Sequence, residues 1–314
     1  MQVYEGLPAL TTFLTSPNPS TTVAIGAFDG IHTGHQAIIR TAVDDARAHD
    51  RPAIVFTFDR HPAELLRPDR APDYITTPEQ RIQLIEQLDA DAMVIAQFDT
   101  ALSILSPEEF VRDILVGLLG AKTLVIGADF CFGQNRAGDV TYLKSVCDAL
   151  GFEVIALDPI AVGEIPASST RIRELLQSGE IASAEAVLAH PFLLAGTVVK
   201  GKQLGRTIGY PTVNLERTCR QVVPGDGIYA VRVELGDGRI VDGACSIGTR
   251  PTVEAAGART IETFLLDFNE DLYGQTIKIR FVRRLRSELK FESLDALKSQ
   301  IALDVIRARE VLAE

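Results

Sequence analysis

Gly26-Ala27-Phe28-Asp29-Gly30-Ile31-His32-Thr33-Gly34-His35 is the stretch that decides how the chain folds. It follows the apolar run Val23-Ala24-Ile25, which reads as a buried strand, and leads into residues 36–49, which read as a helix. Two histidines therefore fall where a strand gives way to a helix N-terminus. At such a point the first backbone N–H groups lack intrahelical partners and the helix dipole favours negative charge. Glycines at 26, 30 and 34 let a phosphate approach the backbone closely. The pattern predicts a phosphate-binding turn through Gly26, Phe28 and Gly30, with His32 and His35 beside the phosphates; the alternative is a tight βα turn with two incidental histidines. Imidazoles in that position point to phosphoryl or nucleotidyl transfer.

Outward from this turn, strand and helix patterns alternate. Short apolar runs at 23–27, 53–58, 92–96, 122–126 and 153–157 read as strands buried on both faces, and 35–49, 78–88, 107–119 and 139–150 read as helices. Alternation of this kind predicts a doubly wound parallel sheet, with ligands outside the carboxyl ends of its strands. Two short helices at 169–178 and 180–189 follow as a connector, closed by Pro191. The pattern then changes to strands at 193–200, 227–235, 239–247, 261–268 and 277–285, with a hairpin signal at Leu235-Gly236-Asp237-Gly238. A last helix over 293–313 aligns Leu294, Leu297, Ile301, Val305 and Leu312. The fold class is α/β: an N-terminal parallel-sheet domain, then a small antiparallel β-barrel with a C-terminal helix. A chain of 314 residues exceeds the usual size of one core, and the expected domains are 1–185 and 186–314.

Charge supports that division. Residues 1–185 carry a net charge of −13 and residues 186–314 carry +2. An acidic first part disfavours nucleic acid, whose binding relies on neutralised phosphates. No run approaches the ~18 apolar residues of a membrane span. Four dispersed cysteines, with no C-x-x-C pair, fit a reducing cytoplasmic setting.

Three further segments accompany the opening turn: Thr57-Phe58-Asp59-Arg60-His61-Pro62, Gly127-Ala128-Asp129-Phe130-Cys131-Phe132-Gly133, and Ser168-Ser169-Thr170-Arg171-Ile172-Arg173-Glu174. Arginines in a first helical turn oppose the helix dipole. Arg171 and Arg173 are thus expected to face an anion, the alternative being solvated arginines offset by Glu174. Taken in order, these motifs resemble the adenylyltransferase module of the prokaryotic bifunctional riboflavin kinase/FAD synthetase family. The resemblance implies that FMN attacks the α-phosphate of ATP to form FAD. It implies that His32 and His35 hold ATP phosphates, that Ser168, Ser169, Thr170 and Arg171 take the outgoing phosphates, and that Asp129 binds Mg²⁺. Asp59, His61, Phe130 and Phe132 become flavin candidates, with core packing the alternative for both phenylalanines.

The second part opens on a glycine-rich loop running through Gly201, Gly205 and Arg206 into Tyr210-Pro211-Thr212-Val213-Asn214. Period-two geometry puts Thr212 and Asn214 on one face of an extended segment, a hydroxyl beside an amide oxygen, as a Mg²⁺ site next to nucleotide phosphates would require. Glu262 falls in phase with Phe264, Leu266 and Phe268. A carboxylate in that phase is costly to bury unless it is paired or functional; the alternative is a strand-end side chain reaching solvent. These motifs, with Gly227-Ile228-Tyr229-Ala230-Val231 and Ser246-Ile247-Gly248, resemble the riboflavin kinase module of the same family. The resemblance implies transfer of the ATP γ-phosphate to riboflavin, with Glu262 as base and Gly201, Gly205 and Arg206 at the nucleotide.

Arg60, Arg250, Tyr210, Val213 and Cys131 depart from the family's commonest residues. Expected substrates are riboflavin, FMN and ATP, with no nucleic-acid or membrane partner; oligomeric state is not legible. A nucleotidyltransferase of other specificity, or a flavin-binding regulator without activity, are the rival readings. The barrel argues against the first and the intact site residues against the second.

Overall fold

The computed structural model describes residues 1–7, 20–201, 204–249 and 259–314. The chain divides into two compact units. One comprises Met1–Pro72 and Pro78–Ser168; the other comprises Asp73–Thr77 and Ser169–Glu314.

In the first unit, six strands form one sheet: β1 (Gln2–Glu5), β2 (Thr21–Ile25), β3 (Ala53–Phe58), β4 (Ala92–Ala96), β5 (Ala121–Gly127) and β6 (Glu153–Leu157). Their order is β1-β4-β3-β2-β5-β6 and every pairing is parallel. Five of these strands match the apolar runs. The sixth, β1, is an exposed edge strand without an apolar run, and the sequence pattern misses it.

The sheet is apolar on both faces because β2 and β4 are buried at every residue. Val23, Ile25, Phe56 and Ile126 pack on one face with Val111, Leu115 and Leu143. Ala24, Val55 and Val125 pack on the other with Ile39, Ala42 and Ile85. The chain leaves β2 toward β3 and β4 and returns to β5 on β2's far side. The strand order thus reverses at β2/β5, the switch point at which doubly wound sheets open a crevice beyond their carboxyl ends. The loops after both strands carry predicted site residues.

Two short strands, β7 (Ala161–Val162) and β8 (Ile165–Pro166), form a ribbon at the end of this unit.

The second unit is built on a closed barrel of β9 (Leu193–Val199), β10 (Thr212–Arg217), β11 (Gly227–Glu234), β12 (Ile240–Thr249), β13 (Arg259–Leu265) and β14 (Thr276–Arg286). Its order is β10-β13-β12-β11-β14-β9 and all six pairings are antiparallel. Alternate residues fill the interior, among them Val198, Tyr229, Val231, Cys245, Ile247, Ile261, Thr263, Ile279 and Phe281. Burial pushes both the Tyr229 hydroxyl and the Cys245 thiol up to about 12.

The Leu294–Ala313 helix packs on the barrel through the expected face, with Leu312 buried and Val305 in the same cluster, except at its first residue. Leu294 is 70% exposed, whereas Asp304, Ala308 and Leu312 are buried. Asp304 accepts both Nε and Nη2 of Arg286, at 2.8 and 2.6 Å, and the Gln300 amide at 3.0 Å. A polar residue therefore occupies the seam because it is fully paired there.

Asp73–Thr77 is a strap held on the barrel side. Tyr74 N–H donates to the Arg220 carbonyl and accepts Val222 N–H at its own, both at 2.7 Å. The buried Gln221 side chain donates to the carbonyls of Ile75 and Leu193 and accepts Ala195 N–H. All of its hydrogen-bonding groups are engaged in one small space, which fixes the strap's register.

Candidate active sites

The turn after β2 is strained. Phe28 and Ile31 have φ of +48° and +39°, and Gly30 has +85°. A β-branched residue in the left-handed region is an outlier that persists only where its surroundings over-determine it. Phe28 and Ile31 are both buried to within 1% of completely. Phe28 therefore contributes backbone rather than ring to any ligand.

His32 caps the Thr33–Ala48 helix, its Nδ1 accepting His35 N–H at 3.4 Å. The two imidazoles stack at 3.6 Å, and the Phe28 ring meets His35 edge-on at 5.3 Å. A β-carbon at Gly34 would lie 3.1 Å from the His32 ring, so the glycine makes room for the stacked pair. At Gly26 it would lie 3.1 Å from Phe28.

The loop after β3 is held by its own side chains. Asp59 Oδ1 accepts Phe98 N–H at 2.8 Å, with Arg60 at 3.4 Å from Oδ2. His61 caps the Pro62–Leu66 helix through Ala63 N–H at 3.1 Å. After β5, Asp129 is exposed, and a β-carbon at Gly127 would lie 3.0 Å from its Oδ1. Phe130 is half-buried and stacks at 5.5 Å on Phe132, which lies in the core against Phe110 and Tyr142. Ser168 ends the first unit, while Ser169, Thr170 and Arg171 begin the Ser169–Ser178 helix of the second. Arg171 pairs with Glu174 at 2.9 Å on the surface. Arg173, expected to face an anion, instead donates Nε to the Asp73 carbonyl at 2.6 Å.

In the barrel, β10 lies beside β13 with Thr212 opposite Phe264 and Asn214 opposite Glu262. Glu262 in turn lies opposite Ser246 of β12. Thr212 Oγ1 donates to Glu262 Oε2 at 3.3 Å. Thr212, Asn214, Ser246 and Glu262 thus share the outer face of the barrel wall and are half-buried, while Ile261, Thr263 and Leu265 point inward. The expected in-phase set with Leu266 and Phe268 is corrected here: β13 ends at Leu265, and Asp267 turns with φ of +54°.

Gly201 lies directly on Asn214, where a β-carbon would stand 2.6 Å from Oδ1. Gly201→Ala is therefore expected to displace the Asn214 amide and lower FMN formation from riboflavin by roughly tenfold or more, since small misplacements near the reacting atoms are costly. FAD formation from supplied FMN should be unaffected, and both rates are read from one chromatographic assay. Gly205 faces the Tyr210 carbonyl too closely for any β-carbon, and Arg206 is exposed. The Tyr210 ring meets Phe264 edge-on at 5.3 Å. Lys200 Nζ stands 5.7 Å over the Tyr273 ring, a pair that sequence reasoning did not single out. Arg250 lies outside the described residues.

Two candidate sites of different make, each with its own matching family, place the protein among nucleotide-dependent transferases with two activities. The FAD synthetase family pattern matches residues 14–171 and the riboflavin kinase pattern matches residues 188–312. The chain is 39% identical to the bifunctional riboflavin kinase/FMN adenylyltransferase of Escherichia coli K12 over 94% of each. With the Bacillus subtilis protein of the same description it is 36% identical, over 90% of this chain and 89% of that one. A solved structure described as a macrolide-efflux protein of Streptococcus pneumoniae superposes with a TM-score of 0.85 at 31% identity, covering 98% of this chain and 99% of that one. The efflux description is that protein's own; among the described residues of this chain no helix is long and apolar enough to cross a membrane. The chain belongs to the bifunctional riboflavin kinase/FMN adenylyltransferase family. It phosphorylates riboflavin to FMN and adenylylates FMN to FAD, using ATP in both steps.

Proposed function

We propose that residues 1–185 carry adenylyl transfer and residues 186–314 carry the kinase, with the side chains described above in the following roles. The family matches, which end at 171 and resume at 188, support this division. The observation that carries the kinase assignment is the Thr212–Glu262 hydrogen bond, with Asn214 directly opposite Glu262.

In adenylyl transfer, the FMN phosphate has a second pKa of about 6 and is already an anion at neutral pH. One of its oxygens bonds to the α-phosphorus of ATP, and pyrophosphate departs with the electrons of the broken P–O bond. No proton has to be removed, so the site supplies alignment and charge stabilisation. His32 and His35 face the ATP phosphates. The backbone at Gly26, Phe28 and Gly30 borders them, and Ser168, Ser169, Thr170 and Arg171 receive the leaving pyrophosphate. Asp59, His61 and Phe130 border the flavin, with Phe132 holding the Phe130 ring from beneath.

Riboflavin's ribityl 5′-hydroxyl is a neutral alcohol, so its attack on the γ-phosphorus benefits from a base. Glu262 takes that proton while ADP leaves. Gly201, Gly205 and Arg206 line the nucleotide.

Among the described residues, no group of three or more His, Cys, Asp or Glu side chains has metal-binding spacing. The donors at Thr212, Asn214 and Glu262 are all oxygens, which suits a hard cation held mainly by phosphates and water. We assign Mg²⁺ to Thr212 and Asn214 in the kinase and to Asp129 in the adenylyltransferase; when bound it neutralises phosphate charge. The four cysteines, held as thiols, suit the cytoplasm.

Purified protein given riboflavin and Mg-ATP should yield FMN and then FAD, resolved chromatographically. Chelation of the metal should stop both steps, and undiminished product in excess chelator would remove the metal from the scheme.

A further inference from the structure

Arg81 lies on the buried face of the Pro78–Glu86 helix and is 6% exposed. Its Nη2 donates to the Phe58 carbonyl at 2.9 Å and its Nη1 to the Ala27 carbonyl at 3.3 Å. Ala27 immediately precedes the left-handed residues of the phosphate turn, and Phe58 immediately precedes Asp59. One planar guanidinium thus joins the loop that carries the histidines to the loop assigned to the flavin. Thr57 Oγ1, at 3.1 Å from the same Ala27 carbonyl, reinforces the clamp. A strained turn needs such external ties to persist, and arginine alone among side chains offers two donors in a rigid fork with a permanent charge.

We propose that Arg81 is a positioning residue for adenylyl transfer, holding the phosphate turn and the flavin loop in the mutual geometry that in-line attack requires. This rests on the assignment of that reaction to the 26–35 turn. The expected signature is a loss in the chemical step rather than in ligand binding, since each loop keeps its own contacts to its own ligand.

The test is single-turnover FAD formation from saturating ATP and FMN, in which the rate constant reports geometry and the amplitude reports the folded fraction. Arg81→Met should lower the rate constant roughly 100-fold at unchanged amplitude, the scale expected for a misplacement of about 1 Å. Arg81→Lys keeps the charge and one hydrogen bond, and should lie between the two. A wild-type rate constant, with or without reduced amplitude, overturns the proposal. Should Arg81→Met fail to melt cooperatively, Arg81→Lys decides alone: a rate constant lowered about tenfold at full amplitude supports the clamp, and a wild-type value overturns it. A His32→Ala/His35→Ala protein is run alongside. FAD formation by that variant would unseat the site assignment itself, whereas its absence beside a normal Arg81→Met rate would unseat only the clamp.

Discussion

Replacing His32 or His35 by alanine is expected to lower FAD formation from FMN by about 10²–10³-fold, the usual cost of removing one pre-aimed donor to a developing charge. FMN formation from riboflavin should continue at the wild-type rate. The two rings behave as one unit: they stack at 3.6 Å, and His32 is 5% exposed beneath the first helical turn. Removing either ring leaves the other without its stacking partner, so the double variant should lose less than the product of the single losses. The measurement is the initial rate of each product, with FMN and riboflavin supplied separately. Loss of both activities would contradict the assignment of the histidines to adenylyl transfer alone.

Glu262→Gln should produce the converse pattern. The amide keeps an acceptor for Thr212 Oγ1, which now stands 3.3 Å from the carboxylate, so the wall of the barrel is preserved. What disappears is the ability to take a proton from an alcohol. Kinase turnover is expected to fall by about 10²–10⁴-fold, the range of general-base contributions, with little change in the KM for ATP. FAD synthesis from supplied FMN should be unchanged. A kinase rate within threefold of wild type, a margin of well under 1 kcal/mol, would remove Glu262 as the base.

The parallel sheet was legible because strands buried on both faces are continuous apolar runs, and the helices between them carry a clear period. The edge strand β1 was not, since an exposed edge needs no apolar run and gains its partner β4 from about 90 residues away. The histidine turn was legible as a strand-to-helix junction, from the apolar run before it and the helix after it. Its strained backbone was not, because Ile31 gives no sign of a left-handed conformation. Glu262 was marked as a carboxylate in an apolar phase; it is half-buried on the outer face, where Thr212 Oγ1 donates to it, while its neighbours Ile261 and Thr263 point inward. The seam of the last helix was legible in Val305 and Leu312 but not in Asp304, since apolar spacing does not reveal a carboxylate satisfied by Arg286. Arg81 did leave a signal, a cation four residues before Ile85 on the same helical face, yet only its two carbonyl partners give it meaning.

The strap at Asp73–Thr77 also sets a schedule for the growing chain. Ile75 meets Gln221, 146 positions later. At synthesis rates of about 5–20 residues per second, the strap therefore waits roughly 7–30 s for its partner. During that interval the flanking segments of the parallel-sheet unit emerge while the barrel segment that receives the stretch between them is still to be made. Assembly of this enzyme is consequently not two successive folding events, because the second cannot finish until a segment from within the first is handed over to it.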